Sequence, residues 1–467
     1  GRGGAGDFNF PLSPATPQKQ PRMLAQFQQS LRRRLPHRSI VYAFSRAAVS
    51  RHHLPPGKLV SLEQEEKADR AFILRRSEQI GPIFKAIGWG ELYVCVVGLS
   101  LGRRLLRDHS AELRPMTLDV SSLFPKGFLR QMQGEDHRKY RRLLNRAIKP
   151  DDLAASTAAL AASAARGLAD YAAREHEHLN GADAYVATLS RITTEMMIRL
   201  FFGATPGTPA FDRLVAGYQK LGPHGLVWNV TERQREAFVD IRDFLLKCFS
   251  GPPADLPAEA RQSVLGRMVE DGMPDADMMG NLIYMVETGR YDTHALFRWL
   301  TKHAGERPDF LARIRHESPG AATEKSFAEA FTLETLRTDQ SERLMRRVQR
   351  NFIFDGHLIP KHATVRVCLW ESHKSPEIFP HPFEFNPERF LAKPPTTEEF
   401  APFGLDHHRC PFGDMSVRMC VEFLRALARG YTVEPTADGR PIRGAYHWEP
   451  SSNFGVRLKP HATVPHE

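Results

Sequence analysis

The chain has 467 residues, a formal net charge of +10, and 42% hydrophobic and 25% charged residues. That composition suits a globular chain that buries a large core and not a disordered or fibrous one. Its five cysteines (Cys95, Cys248, Cys368, Cys410 and Cys420) are odd in number and form no CxxC pair, which argues against a disulfide scaffold and a zinc ribbon. The longest apolar stretch, near 92–102, is about half of the ~20 residues a membrane span needs. The positive charge is spread out, and its one dense run, LRRRLPHR (31–38), has no nucleic-acid motif beside it.

Residues 1–55 are rich in Pro, Gly, Gln and Arg and read as a flexible arm with room for one short helix. IGPIFKAIGWGELYVCVVG (80–98) combines β-branched runs with Gly and predicts a small sheet whose last strand leads into a helix. From 123 to about 336 the pattern is mostly helical. DDLAASTAALAASAARGLADYAAREHEHL (151–179) is alanine-rich with acids at its start, as the helix dipole favours. DADMMGNLIYMVETGRYDTHALFRWLTKHAG (275–305) has no proline and is apolar on more than one face, so it predicts a long, largely buried helix. Strands are expected within 346–370, then a Pro-rich connection, then a helix from about 416 to 429. No internal repeat is visible.

The stretch APFGLDHHRCPFGD (401–414) sets Cys410 after two histidines and an arginine and before Pro-Phe-Gly. Three chemistries use such a set. His407, His408 and Cys410 could bind a metal, a histidine could activate a cysteine nucleophile, or the thiolate could hold a larger cofactor in a glycine-permitted loop. Adjacent histidine side chains diverge and no fourth ligand is evident, which weakens zinc. The nucleophile has no spacing signature of its own.

FGLDHHRCPFG resembles the haem-binding loop of the cytochrome P450 family, Phe-Gly-x-Gly-x-(His/Arg)-x-Cys-x-Gly, with Phe403, Gly404, His408 and Cys410 in register. Asp406 and Phe412 stand where that family has glycines, and Gly413 follows one residue late. Four further segments extend the resemblance. ETLR supplies Glu334 and Arg337, and HKSPEIFPHPFEFNPERF (373–390) resembles the stretch before the loop and carries Arg389. GEDHRKYRRLL, starting at Gly134, is similar to the haem-edge helix, and ETGRYDTHAL (287–296) is similar to the oxygen-side helix.

The resemblance implies a mainly α fold with small β-sheets, one catalytic domain over 56–467 after the arm 1–55, and haem b with its iron on the Cys410 thiolate. It implies His137, Arg141, Arg346 and His408 as partners of the haem propionates, Phe403 packed on the thiolate loop, and Gly289 beside the iron. Glu334, Arg337 and Arg389 would form a buried charge network. Asp292 and Thr293 would be an acid–alcohol pair that delivers protons. Arg290 replaces a family glycine, and three roles stand open for it: pairing with Glu287, contact with a substrate anion, or altered oxygen chemistry.

By the same resemblance the protein is a cytoplasmic monooxygenase of specialised metabolism. It would insert oxygen from O2 into a small lipophilic substrate, or couple that substrate oxidatively. A separate soluble donor such as ferredoxin or flavodoxin, with its reductase, would supply electrons, with no nucleic-acid partner and no transmembrane anchor. The alternatives are a reductase-independent member (peroxygenase, isomerase or dehydratase) and a non-catalytic haem-binding recruitment module. The loop 113–133, with Met116, Leu118, Val120, Leu123, Phe124, Phe128 and Leu129, makes an apolar ligand the default.

Overall fold

The computed structural model describes residues 38–461 except 117–119, 121–122, 125–127, 149, 175–180, 223–229, 271, 273, 318–324, 341–342, 406 and 445–446. Helices dominate, as the periodicity predicts. The expected arm lies outside the described residues up to 37. Its last part, Arg38–Val49, is a helix whose Ala43 is wholly buried in a core shared with Val94 and Val96. Packed structure therefore begins before the boundary expected at residue 55.

The described strands are β1 (Ile83–Gly88), β2 (Glu91–Val97), β3 (Leu113–Pro115), β4 (Arg343–Val348), β5 (Phe352–Phe354), β6 (His357–Ile359) and β7 (Thr364–Cys368), then β8 (Tyr431–Pro435), β9 (Pro441–Arg443), β10 (Trp448–Pro450) and β11 (Val456–Pro460). Five of them form one sheet in the order β1-β2-β7-β4-β3. The β1–β2 hairpin closes through Trp89 and Gly90, both at positive φ (49° and 77°). A two-residue turn of that hand matches the twist of its strands. β2 and β7 run parallel, while β4 pairs antiparallel with both β7 and β3. β8 pairs with β11 and β9 with β10, as separate hairpin-like ladders.

The long helix Ala276–Glu306 has 31 residues, a span of about 46 Å at 1.5 Å per residue. Asp275 caps it, its carboxylate accepting the Met278 N–H at 2.8 Å. It is buried on most of its surface because the helices Gly181–Phe202, Glu232–Cys248 and Gly413–Gly430 all pack on it. Phe297 stacks on Phe423 at 4.1 Å. At Gly289 a Cβ would come 2.8 Å from Met197 Cε. This glycine therefore sets the approach of two helices, a packing role that its motif position did not announce.

The helix Phe327–Thr335 runs directly into a single π turn, Leu336–Gln340. The wider turn leaves the Thr338 carbonyl free to accept from Trp370 Nε1 at 2.6 Å. It also brings Asp339 to His303 of the long helix (2.7 Å) and to Arg70 (2.8 Å). Burial alone would raise Asp339, but the His303 hydrogen bond and the charges of His303 and Arg70 hold it well below the usual carboxylate range. Burial lowers His303, and its hydrogen bonds to the Asp339 and Glu306 carboxylates, which accept, outweigh it and raise the imidazole.

The two shifts act on opposite limbs of the stability curve. The stabilisation from Asp339 is present above the ordinary carboxylate pKa and fades as pH falls below about 4. That from His303 is complete below about pH 6.5 and is lost as pH rises beyond it. Melting temperature measured against pH is expected to fall on both sides. Asp339→Asn should flatten both slopes, and a wild-type acid slope retained in that variant would contradict the assignment.

Candidate functional site

The loop before the helix Gly413–Gly430 is built by two close approaches. Cys410 N–H donates to the Phe403 carbonyl at 2.8 Å, and Gly404 turns the chain at φ 105°. At Gly413 a Cβ would sit 2.6 Å from the Phe403 ring, so glycine is required for that ring to lie under the start of the helix. Phe412 occupies the place of the missing loop glycine without blocking it. Its ring turns back into the core and stacks on Phe201 at 4.4 Å. Asp406 lies outside the described residues.

Protein crowds Cys410 closely enough that burial pushes its thiol up, while the Phe412 N–H, Arg141 and Arg130 pull it down and Asp292 adds to the rise. Yet the side chain is exposed. The exposed sulfur is open to a ligand. The other four cysteines differ. Cys95, Cys368 and Cys420 are buried, and Cys248 ends a surface helix. Burial alone drives Cys420 well up.

The donor set around the sulfur suits a dianionic cofactor. Arg141 donates to the Arg409 carbonyl at 2.7 Å. Burial lowers its pKa, the Cys410 charge raises it and Arg409 lowers it further. His137, one helical turn before Arg141, is buried, and its ring lies 4.4 Å from that of His408 and 5.3 Å from that of His407. Gln133 Nε2 reaches His408 Nε2 at 3.3 Å. Arg346 is buried on β4 beside Pro115 of β3, donating to the Met345 carbonyl at 3.1 Å. Arginine forks and protonatable imidazoles match carboxylates, so the residues present fit a haem with its propionates. Arg130 was missed at the sequence level, since no motif marks it. Among the described residues no cluster of His, Cys, Asp and Glu has metal-site geometry, and the zinc option finds no support.

Behind the loop, Arg337 grips Glu334 with both ends of its fork (2.7 and 2.8 Å) and donates to the carbonyls of His373, Pro382 and Glu384 at 2.7–3.2 Å. Glu334 Oε1 also accepts the Asn386 N–H at 2.8 Å and Arg389 Nε at 3.1 Å. Both Glu334 and Arg337 are fully buried. This network fixes the 373–390 stretch against the helix Phe327–Thr335.

On the long helix, Thr293 is buried while the Asp292 side chain is 61% exposed. Arg290 is buried. It pairs with Glu287 through two bonds (2.9 and 3.0 Å) and donates to Gly222 O at 2.7 Å and Tyr218 O at 3.3 Å. Of the three roles left open for it, the structure shows the pairing with Glu287, and the arginine ties the end of the helix Pro209–Leu221 to the long helix. From the 113–133 loop, Phe124 and Phe128 pack at 4.9 Å from each other, and Phe128 lies 4.7 Å from Tyr284 of the long helix. Leu118 lies outside the described residues.

A mainly helical body with a small mixed sheet, a cysteine in a glycine-permitted loop and basic groups around it define a haem-thiolate protein. The cytochrome P450 family model matches residues 323–442. A putative cytochrome P450 138 of Mycobacterium tuberculosis is 24% identical over 78% of this chain and 87% of its own. Abscisic acid 8'-hydroxylase 1 of rice (Oryza sativa subsp. japonica) is 26% identical over 83% and 86%. A solved structure, retinoic acid bound cyanobacterial CYP120A1, superposes with a TM-score of 0.67 at 20% identity, covering 88% of this chain and all of that one. These findings together support a cytochrome P450 family protein, a haem-dependent monooxygenase of the kind that carries haem b on a cysteine thiolate. No helix among the described residues is long and apolar enough to cross a membrane.

Proposed function

We propose that this cytochrome P450 hydroxylates, or couples oxidatively, a small lipophilic molecule of specialised metabolism. It uses dioxygen and two electrons from a separate donor such as ferredoxin or flavodoxin with its reductase. The reading rests chiefly on one arrangement: an exposed Cys410 sulfur in the loop before the helix Gly413–Gly430, with the Asp292 carboxylate of the long helix among the charges that act on it. Haem b, when bound to a thiolate there, supplies reductive activation of dioxygen.

The remaining roles belong to side chains. The Phe412 N–H and the Arg141 and Arg130 charges favour the Cys410 thiolate. His137, Arg141, Arg346 and His408 hold the propionates. Thr293 Oγ1 holds a proton that Asp292 Oδ1 replaces from the solvent side. Phe124, Phe128 and Tyr284 form an aromatic wall that favours an apolar substrate. The names of the relatives and the solved structure given above include abscisic acid and retinoic acid, and another relative is ent-kaurenoic acid oxidase 2 of Arabidopsis thaliana. Apolar carboxylic acids of that kind are the first screening set.

Product from such a set should require both dioxygen and an electron donor. Product formed equally well from hydrogen peroxide with no donor would replace the monooxygenase reading with a peroxygenase one. A haem-loaded protein that gives no product under either condition would favour a recruitment module.

A further inference from the structure

The hairpin β9–β10 brings a histidine to the long helix that no motif predicts. His447 is buried, its ring stacked on that of Tyr291 at 5.1 Å. Its Nε2 lies 3.5 Å from Asp292 Oδ1, and its Nδ1 lies 3.7 Å from Glu449 Oε1. Glu449 is held in turn. Tyr291 OH donates to Oε1 at 2.8 Å, and Arg298 Nη1 donates to Oε2 at 3.0 Å.

Two features fix this arrangement. The hairpin is bolted to the long helix by Trp299 Nε1 on the Trp448 carbonyl (3.0 Å) and by Arg298 Nη2 on the carbonyls of Pro450 and Ser451 (2.8 and 2.9 Å). Gly444 accepts no larger residue, since a Cβ there would meet Glu449 Oε1 at 2.5 Å and the His447 carbonyl at 2.8 Å. The charged and titratable groups around the imidazole are Asp292, Tyr291 and Arg298 from the long helix, and Glu449 from its own hairpin. Arg443 stands across the ladder, opposite Trp448. The π turn contributes Gln340, an uncharged amide that donates to the Asp292 carbonyl at 3.3 Å.

We propose that His447 is a positioning residue that relays protons from Glu449 to Asp292 during turnover. An imidazole with a carboxylate at each ring nitrogen can take a proton at Nδ1 and give one from Nε2. Glu449 keeps 16% side-chain exposure, through which it exchanges protons with solvent. Only N–H and O–H bonds change. A proton enters at the Glu449 carboxylate, crosses the ring, and leaves on Asp292 Oδ1. The ring regains its starting tautomer before the next transfer. The relay consumes no electrons and supplies the protons that monooxygenation already requires. Separations of 3.5–3.7 Å close to hydrogen-bond length, or through one water, as catalytic contacts do during turnover.

The inference rests on the reading of Asp292 as the proton donor, and the test separates the two. The haem-loaded chain is reduced by a surrogate ferredoxin and its reductase, and dioxygen consumption is followed in H2O and D2O from about pH 6 to 9, around the ordinary imidazole pKa. Asp292→Asn is expected to slow consumption and raise the solvent isotope effect. His447→Gln and Glu449→Gln should each do the same by about one to two orders of magnitude, at or below the lower end of the range for a positioned proton donor. The double variant Asp292→Asn with His447→Gln should add nothing further.

If Asp292→Asn has no effect, the reading of Asp292 fails. If it has its effect and both His447→Gln and Glu449→Gln match the wild type, Asp292 takes protons directly from solvent and the relay is overturned. A second readout needs no turnover. In the diamagnetic carbonyl-bound ferrous protein, nitrogen-15 histidine NMR is expected to show the His447 pKa falling by about one unit on Asp292→Asn, the shift typical of losing a facing carboxylate. An unchanged value would likewise overturn it.

Discussion

Arg337→Ala is expected to yield little or no folded, haem-loaded protein. The change strips a fully buried carboxylate, Glu334, of its two strongest donors. Removing one partner of a buried pair costs about 3–5 kcal/mol, and Arg389 Nε at 3.1 Å keeps the value near the lower end. The same truncation leaves the carbonyls of His373 and Pro382 without their donor, each a further ~1 kcal/mol or more, while Glu384 O keeps Arg389 Nη2 at 3.3 Å. Against a total stability of about 5–15 kcal/mol the loss is decisive. Arg337→Lys does not rescue it, because an ammonium cannot span both carboxylate oxygens and three carbonyls. Replacing both partners by apolar residues fails as well, since the carbonyls stay unpaired. Chemical denaturation of purified protein checks this, and an Arg337→Ala variant with wild-type stability would remove the network from the structural core.

The second large effect is spectroscopic. Cys410→Ser is expected to move the Soret band of the dithionite-reduced, carbonyl-bound protein away from its thiolate-ligated position and to abolish monooxygenation, with the fold retained. A serine hydroxyl stays protonated under the same local field, so it cannot supply the electron donation a thiolate gives. The competing ligands are distinguishable by place. Cys95, Cys368 and Cys420 are buried in core packing, and the His407 and His408 rings lie 4.3 Å apart beside His137. A thiolate-type band that persists in the variant would give the ligand role to another cysteine. A histidine-type band in the wild type would return the two histidines to consideration.

Both effects involve residues that the sequence announces, and the reason is physical. A thiolate loop needs its glycines and its cysteine within one turn of chain, and an arginine that must meet a glutamate on the same helix stands three residues away. Such constraints are local and leave a pattern. The periodicity of 275–305 likewise marks a buried helix, because burial on several sides leaves few polar positions. What escapes a linear reading is whatever the tertiary fold assembles. Arg130 reaches the cysteine from a loop, and His447 and Glu449 reach Asp292 from a hairpin about 150 residues later. Neither Arg130 nor the His447–Glu449 pair lies near its target in sequence. The π turn at Leu336–Gln340 is also invisible, since an i to i+5 bond leaves no periodicity over five residues. Arg290 shows the limit from the other side. Its identity departs from the family pattern, yet only the positions of Glu287 and Gly222 decide which way it turns.

The parallel pairing of β2 with β7 bears on how the chain reaches this state. Tyr93 lies beside Thr364, and Val97 beside Cys368, partners separated by roughly 270 residues, so the sheet depends on contacts of the kind that slow folding most. During synthesis the β1–β2 hairpin emerges early and must wait, one edge unpaired, until roughly 270 more residues have followed. The hairpin has its own pairing and the helix Arg38–Val49 beside it in the meantime, but nothing made by then covers the β2 edge that β7 will take. An open, apolar edge of that sort is where partly made chains join one another. Synthesis rate and temperature therefore become levers on yield. Slower, cooler expression gives each nascent chain time to find its own β7 before it meets a neighbour's β2.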